Sequence, residues 1–350
     1  MSLGSLLGIK YSVIQAPMAG AQGSELAVAV SETGALGSLP CAMLGPDAMR
    51  VELAAIRART ARPFNVNFFC HTPPAPDPAR AEAWRAALAP YYEELGLDWG
   101  VVSEGAGRVP FGHEAADVIE EFRPAVVSFH FGLPSPELVA RVRGWGSKII
   151  STATTVEEAR WLEAQGVVAV IAQGLEAGGH RGMFLLDDLD AQVGTLALVP
   201  QVVAAVKVPV IAAGGIADSG GVQAALALGA AGVQVGTTYL LCPEVRTSAV
   251  HREALKSEAA RRTALTNLFS GRPARGIVNR LMRELGPLSA AAPAFPLAVP
   301  AIATLRARAE SSGSGDFTPL WSGQNASGCR EVPAAEITRM LAAGLKANSR

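Results

Sequence analysis

The stretch from Val167 to Gly182, VVAVIAQGLEAGGHRG, concentrates the residue types best suited to chemistry in this chain. A short apolar run, Val167 to Ala172, ends at the polar Gln173 and passes into a glycine-studded loop with His180 at its centre. A run of this kind flanked by glycine fits a parallel strand buried on both faces. Gly178, Gly179 and Gly182 let the backbone that follows turn sharply and pass close to a ligand. Histidine has the unperturbed pKa nearest physiological pH, so His180 suits proton transfer or a hydrogen bond to a bound anion. A glycine-rich turn with a surface histidine would have the same composition, and the loop alone does not separate the two.

The elements that must position this loop follow a repeating pattern. Strand-like runs occur at Val13–Ala16, Ala35–Leu39, Phe64–Phe68, Ala125–Phe129, Lys148–Thr152, Val168–Gln173, Val210–Ala213 and Gly232–Gly236. Helix-like stretches lie between them at Ser24–Glu32, Pro46–Arg59, Pro136–Arg143, Thr155–Gln165, Leu196–Val206 and Ser219–Leu228. Eight βα units close naturally into a parallel (β/α)8 TIM barrel of class α/β, with a doubly wound open sheet as the alternative. Two connections exceed ordinary length. An insertion at about 70–122 carries Pro73, Pro74, Pro76 and Pro78, a helix near Ala79–Leu95 and a loop before His113. The second runs from Gln173 to Thr195, and long connections of this kind more often carry function. Both follow strands, on the face where barrels place their sites.

Residues 1–243 are thus expected to form the barrel, and residues 244–350 a mainly helical C-terminal extension packed on it. Within the extension, Glu244–Arg283 reads as helical in places, Pro287–Pro300 as a connector, Ala301–Glu310 as a helix, Ser311–Gly328 as a loop and Pro333–Lys346 as a final helix.

Composition narrows the function classes. Of 350 residues, 49% are apolar and 17% charged, with a formal net charge of -1. That balance supports a large ordered core and argues against a nucleic-acid or anionic-membrane surface. A small neutral or anionic ligand is expected instead. Cys41, Cys70, Cys242 and Cys329 show no CxxC spacing, so neither a disulfide framework nor a metal site is indicated. No export signal is visible, and the most apolar long stretch, Thr195–Ala213, is interrupted by Pro200, Lys207 and Pro209. A cytoplasmic protein is the expectation.

A closed barrel gathers the strand ends on one rim: Ala16-Pro17-Met18, Asn67, His130, Gln173 with the His180 loop, Gly214-Gly215 and Gly236-Thr237. Glycine pairs after the seventh and eighth strands bare backbone N–H groups that can cradle a phosphate without lysine. The amides of Asn67 and Gln173 suit the edge of a heteroaromatic ring, or else cap orphan backbone groups at strand ends. Met18 could cover a ring face. FMN fits this combination. His130 is placed for substrate contact, whereas His71, His113 and His251 are expected at the surface. Arg272 and Arg275 are expected to anchor the extension through ion pairs, and Arg181 to fix the loop by an ion pair or to meet an anion.

Six motifs resemble those of bacterial nitronate monooxygenases, formerly called 2-nitropropane dioxygenases: QAPMAG (Gln15–Gly20), FNVNFF (Phe64–Phe69), SFHFG (Ser128–Gly132), AQGLEAGGHRG (Ala172–Gly182), AAGGIAD (Ala212–Asp218) and QVGTTYL (Gln234–Leu240). TNLFSGRPARGIVNRLM (Thr266–Met282) and LWSGQ (Leu320–Gln324) are similar to the same family's C-terminal part. Phe295 stands where many members carry tyrosine.

The resemblance implies an FMN-dependent barrel that oxidises alkyl nitronates, such as propionate 3-nitronate, with O2 to a carbonyl compound and nitrite. FMN would contact Met18, Asn67, Gln173, Gly178, Gly214, Gly215, Gln234, Gly236 and Thr237. His180 would be the active-site histidine. The partners implied are the small-molecule nitronate and O2, and a homodimer is left open. An FMN-dependent enoyl-acyl-carrier-protein reductase shares much of the pattern, but is associated with an acidic residue in place of Gln173 and lacks the LWSGQ ending. An NADH:quinone reductase and a non-redox barrel binding a phosphorylated metabolite are the remaining alternatives.

Overall fold

Aliphatic runs capped by glycine or proline form the strands of this chain, and the stretches between them form helices, in a computed structural model that describes residues 2–102 and 108–346. The barrel strands are β1 (Val13–Gln15), β2 (Gly37–Pro40), β3 (Phe64–Phe69), β4 (Val126–His130), β5 (Lys148–Ala153), β6 (Ala169–Gln173), β8 (Val210–Ala213) and β9 (Gly232–Val235). They lie in the order β1-β9-β8-β6-β5-β4-β3-β2, all parallel. A single parallel bridge between Ile14 and Leu36 brings the two ends together, with Gln15 N–H donating to the Leu36 carbonyl at 2.9 Å. The remaining strand pair of the barrel is therefore nearly closed, and the expected (β/α)8 architecture forms.

Because side chains alternate along a strand, each barrel strand sends every second residue inward. The lower inward layers are apolar: Ile14, Val126, Ile150, Ala169, Ile171 and Ile211 pack together, and Leu3 and Leu7 of the N-terminal helix α1 (Leu3–Leu7) close the bottom. The same alternation carried one step further puts Asn67, His130, Thr152, Gln173 and Gln234 on the upper rim. The outward set, including Val66, Val127, Phe129, Val170 and Val233, packs beneath the surrounding helices. Those helices are α2 (Ser24–Glu32), α3 (Pro46–Arg59), α5 (His113–Phe122), α6 (Pro136–Gly144), α7 (Val156–Ala164), α8 (Thr195–Ala205) and α9 (Ser219–Ala227).

The insertion after β3 carries α4 (Pro78–Glu94), which packs away from the barrel. Its Trp84, Leu88, Tyr91 and Tyr92 form a second core with Leu281 and Met282 of α11 (Arg280–Glu284) and Ile302 and Leu305 of α12 (Val299–Glu310). Tyr92 donates to the Ala301 carbonyl at 2.7 Å, and Arg280 pairs with Glu94 at 2.7 Å. The last helix, α13 (Ala334–Ala343), returns to the barrel, where Ile337 and Leu341 join its outer core and Thr338 Oγ1 meets the Tyr239 hydroxyl at 3.0 Å.

Two parts of the chain depart from expectation. Residues 244–283, expected to be helical in places, hold α10 (Ala249–Lys256) and α11, but their centre is an antiparallel hairpin of β10 (Thr263–Thr266) and β11 (Ala274–Ile277). The hairpin forms because β11 finds a partner edge in β7 (Gly179–His180), a pairing no local periodicity reveals. The segment leading into β4 contains α5, an amphipathic helix that supplies the barrel's helix after β3 and was not expected. Part of the expected loop before His113, residues 103–107, lies outside the described residues.

Ile150 is fully buried in the inward layer directly beneath the rim. Ile150→Ala is expected to destabilise the protein by about 2–5 kcal/mol through lost burial and a residual cavity. Chemical denaturation followed by far-UV circular dichroism measures it, and a loss below about 1 kcal/mol would contradict this packing.

Candidate active site

The rim residues surround one pocket at the C-terminal ends of the strands. Asn67, on β3, donates through Nδ2 to the Ser128 carbonyl at 3.2 Å and to Ser128 Oγ at 2.9 Å. Ser128 Oγ also receives Nδ2 of Asn65 at 2.9 Å, which fixes the Asn67 orientation from below. On β9, Gln234 faces the pocket, and its Oε1 is buried without a hydrogen-bond partner. A buried acceptor without a donor is costly, so this atom marks a place for a ligand N–H.

The His180 loop is held more tightly than its glycines suggest. Gln173 Nε2 donates to the His180 carbonyl at 3.0 Å, while Gln173 Oε1 accepts from Gly182 N–H at 2.8 Å. His130 Nε2 reaches the same His180 carbonyl at 3.2 Å and its Nδ1 lies 3.1 Å from Thr152 Oγ1. A carbonyl can only accept, so His130 carries its proton on Nε2 and takes the Thr152 hydroxyl on Nδ1. On the other side, β7 pairs with β11, and Arg181 N–H donates to the Pro273 carbonyl at 2.9 Å. The His180 ring then sits among Phe295, Trp321 and Phe131, with centroids at 5.4, 5.5 and 6.1 Å. Its Nε2 lies 2.8 Å from Ser270 Oγ, which leaves Nδ1 for a ligand.

The wider loop is clamped by buried groups outside the pocket. Glu158 accepts from Thr154 N–H and Oγ1 and from the Phe184 and Leu185 amides, and Glu176 accepts from Thr195 N–H and Oγ1 at the start of α8. Arg181 is fully buried and donates to the Gln173 and Gly174 carbonyls, both at 2.7 Å, and to Gln192. It thus makes neither the ion pair nor the anion contact that the sequence suggested. The cluster of carbonyls at the end of β6 supplies the negative end that its charge requires. Arg275 likewise donates to the Leu175 carbonyl and Thr263 Oγ1. Arg272 donates to the Met183 carbonyl and stacks over Phe131, with the exposed Asp187 a distant 3.9 Å away. Backbone carbonyls thus hold Arg275 and most of Arg272, while ion pairs also join the extension to the barrel, at Arg272 with Asp187 and at Arg246 with Glu25 and Glu52.

At the opposite side of the pocket, Gly214 and Gly215 take φ angles of 118° and 74°, in the region that favours glycine. Gly236 and Thr237 stand beside them after β9, and Met18 lines the same wall. A Cβ on Gly178 would come 2.5 Å from Gly323 N, so only glycine lets the loop pass under residues 322–325. Thr237 Oγ1 accepts from Gly323 N–H at 2.9 Å, and Asn325 Nδ2 donates to the Gly215 carbonyl at 3.1 Å. The cup and its cover fit a phosphorylated planar cofactor: bare glycine backbone for the anion and the unpartnered Gln234 Oε1 for a polar ring.

The charged side chains of the described lining have one sign. Among the described residues, no aspartate or glutamate lines the pocket, while Arg108, Arg246 and Arg306 do, with His130, His180 and His251. Burial holds His130 down to about 3 and His251 to about 4. His180 is also well below the usual histidine range, through burial first and then the positive charge of Arg108. His71, behind the Phe295 ring at 4.8 Å, is lowered to about 4, again mainly by burial. His71 and His251 are therefore interior residues, contrary to their expected surface placement, while His113 is exposed at the start of α5. The local sequence gave no sign of this, because their burial comes from Phe295 and from Trp321, which accepts from His251 through its carbonyl at 3.1 Å. Arg108, Ser270 and Trp321 were not singled out individually from sequence either, although Ser270 and Trp321 lie within the TNLFSGRPARGIVNRLM and LWSGQ motifs.

The family model for nitronate monooxygenase matches residues 2–344. A nitronate monooxygenase of Pseudomonas aeruginosa is 44% identical over 344 residues, covering 97% of this chain and 98% of that protein. One from Paraburkholderia phytofirmans is 42% identical, covering 97% and 94%. Among solved structures, nitroalkane oxidase from Streptomyces ansochromogenes superposes with a TM-score of 0.90 at 39% identity, over 99% of this chain and 98% of that one. FabK from Thermotoga maritima superposes with a TM-score of 0.73 at 28% identity, over 99% and 96%. None of the helices among the described residues is long and apolar enough to cross a membrane.

The buried histidines make stability depend on pH. Their folded pKa values lie below the ordinary 6.5, so the unfolded chain takes up protons first as pH falls. Stability contributed by the neutral rings is complete above pH 6.5 and declines from there towards pH 4, by about 1.4 kcal/mol per pH unit for each such histidine. Urea midpoints measured at pH 7.5, 6 and 5 should fall in that order, and His251→Gln should flatten the decline. A constant midpoint over this range would contradict burial of neutral rings.

Proposed function

The chain belongs to the nitronate monooxygenase family, and on that basis we propose that it binds FMN across the barrel mouth and oxidises alkyl nitronates with O2 to a carbonyl compound and nitrite. The observation that carries this reading is the pairing of a glycine cup with a neutral histidine in a pocket whose described lining has no carboxylate. An anionic cofactor and an anionic substrate both need such a lining.

In this reading Gly214, Gly215, Gly236 and Thr237 receive the FMN phosphate, while Met18, Asn67 and Gln234 border the ring and Gln234 Oε1 accepts from a ring N–H. Gly178 lets the loop pass beneath the cover that encloses the cup. Gln173 acts from behind, through its grip on the His180 carbonyl. FMN, when bound, supplies the electron chemistry with O2.

The chain's own residues supply orientation, dryness and proton control. His180 is neutral, so its Nδ1 can donate a hydrogen bond to a nitronate oxygen in one tautomer, or accept the α-proton of a neutral nitroalkane in the other. Ser270 at Nε2 accommodates both tautomers, since a hydroxyl both donates and accepts. Phe69, Phe131, Phe295 and Trp321 exclude water from the ring. His130 borders the substrate space with its ring edge, both nitrogens being engaged elsewhere.

The visible spectrum of the purified protein should show flavin, and propionate 3-nitronate should bleach it anaerobically where NADH does not. In air, nitronate should consume O2 and release nitrite. Rapid bleaching by NADH, with oxidation driven by an enoyl thioester, would favour a reductase instead. His180→Asn should retain flavin and lower kcat/KM for nitronate by about 100-fold or more. Unchanged turnover would remove His180 from the reaction.

A further inference from the structure

Among the described residues, every arginine on the pocket wall but one has a carboxylate partner. Arg246 pairs with Glu25 and Glu52, both at 3.1 Å, and Arg306 with Glu310 at 2.8 Å. Arg108 has none among the described residues: its Nε and Nη1 are buried and make no hydrogen bond. The guanidinium stacks 5.5 Å from the centroid of Phe295, whose ring lies 5.4 Å from that of His180. Buried guanidinium donors without a partner among the described residues are expensive to maintain, and an anion would satisfy them.

Position determines which anion. Arg108 lies three residues before Phe111, whose N–H donates to the Phe69 carbonyl at the end of β3 at 2.8 Å, and β3 lies four strands from β8, which puts this segment across the mouth from the glycine cup. The phosphate end of the cofactor is therefore not its partner. Nearby, His71 Nδ1 and Arg272 Nε are also buried without partners, around the same pair of rings, Phe131 and Phe295. Burial lowers Arg108 only to about 10, so it stays charged at neutral pH.

We propose that Arg108 receives the planar two-oxygen anion of the substrate's nitronate head, and that it is the residue by which this pocket selects an anionic nitronate over the neutral nitroalkane. This rests on the nitronate reading of the site. A guanidinium presents paired N–H donors in a plane, which matches the two oxygens of a nitronate in a forked contact. A neutral nitro group has the same shape but little charge, so it gains far less from the same donors. The anion held there lies beside His180, whose Nδ1 then meets the head or the adjacent carbon. A carboxylate on the substrate tail has the same planar chemistry, and the test separates the two.

The test compares wild type, Arg108→Gln and Arg108→Lys on ethyl nitronate, which has only the nitronate head, and on propionate 3-nitronate, which adds a tail carboxylate. Nitrate, a planar oxyanion, serves as the binding probe through its effect on melting temperature at constant ionic strength. Arg108→Gln should raise KM for both nitronates by about 30-fold and abolish the nitrate-dependent shift, with kcat changed less. Arg108→Lys, which keeps the charge but loses the fork, should fall between and guards against misfolding of the glutamine variant. An effect confined to propionate 3-nitronate would assign Arg108 to the tail and overturn the proposal. So would unchanged KM values, or a wild-type protein whose melting temperature nitrate does not move. If wild type oxidises no nitronate yet loses its nitrate response on Arg108→Gln, the anion site stands and the nitronate reading fails.

Discussion

The rest of the site depends on how one peptide carbonyl is held. The His180 carbonyl accepts from Gln173 and from His130, two side chains delivered by different barrel strands, while its residue pairs with β11 from the extension. Both donors come from inward positions at the tops of β6 and β4, and their other polar atoms are satisfied in turn by Gly182 and Thr152. A loop with several glycines would otherwise sample many conformations. Here the His180 ring is positioned through its backbone, so the imidazole keeps a face open to the pocket. Preorganisation of this sort separates the group that reacts from the groups that place it.

The charge distribution follows the same division of labour. Glu158 and Glu176 spend their charge on backbone amides beneath the loop, and Arg181 and Arg275 on backbone carbonyls. Side-chain charges that would compensate one another across the pocket have been drawn into its supporting structure. What lines the pocket among the described residues is cationic or neutral, which favours anions, while burial first and nearby arginines second keep the histidines deprotonated.

Much of this was legible in the sequence, for an identifiable reason. The strands of the barrel are encoded locally, as apolar runs with punctuation, and the period-2 alternation along Val126, Ser128 and His130 or Ala169, Ile171 and Gln173 tells which residues reach the rim. The rim position of Gly214, Gly215 and Gly236 was legible because these residues directly follow barrel strands. What escaped depends on contacts distant in sequence. The hairpin at 263–277 is stabilised by an edge that appears only once the His180 loop is in place. His71 and His251 are interior because Phe295 and Trp321 cover them, and Arg108 lines the pocket because the insertion carries it there. The departure at Phe295 was visible, but its place between His180, His71 and Arg108 was not.

The cover over the glycine cup also orders events in time. Thr237 completes the cup, yet Gly323, which donates to its hydroxyl, comes 86 residues later in the chain. At ordinary rates of protein synthesis, that interval is roughly 4–17 s. A barrel that folds as it is synthesised would present its cup uncovered for that interval, before residues 322–325 exist to roof it. During that window the phosphate end of a ligand can enter from solvent without displacing any part of the extension. In the finished protein the same entry must go past a cover fastened at Thr237, Gly215 and Glu176. For any ligand seated in the cup, entry during synthesis would depend on the barrel, and retention afterwards on the C-terminal end that fastens the cover.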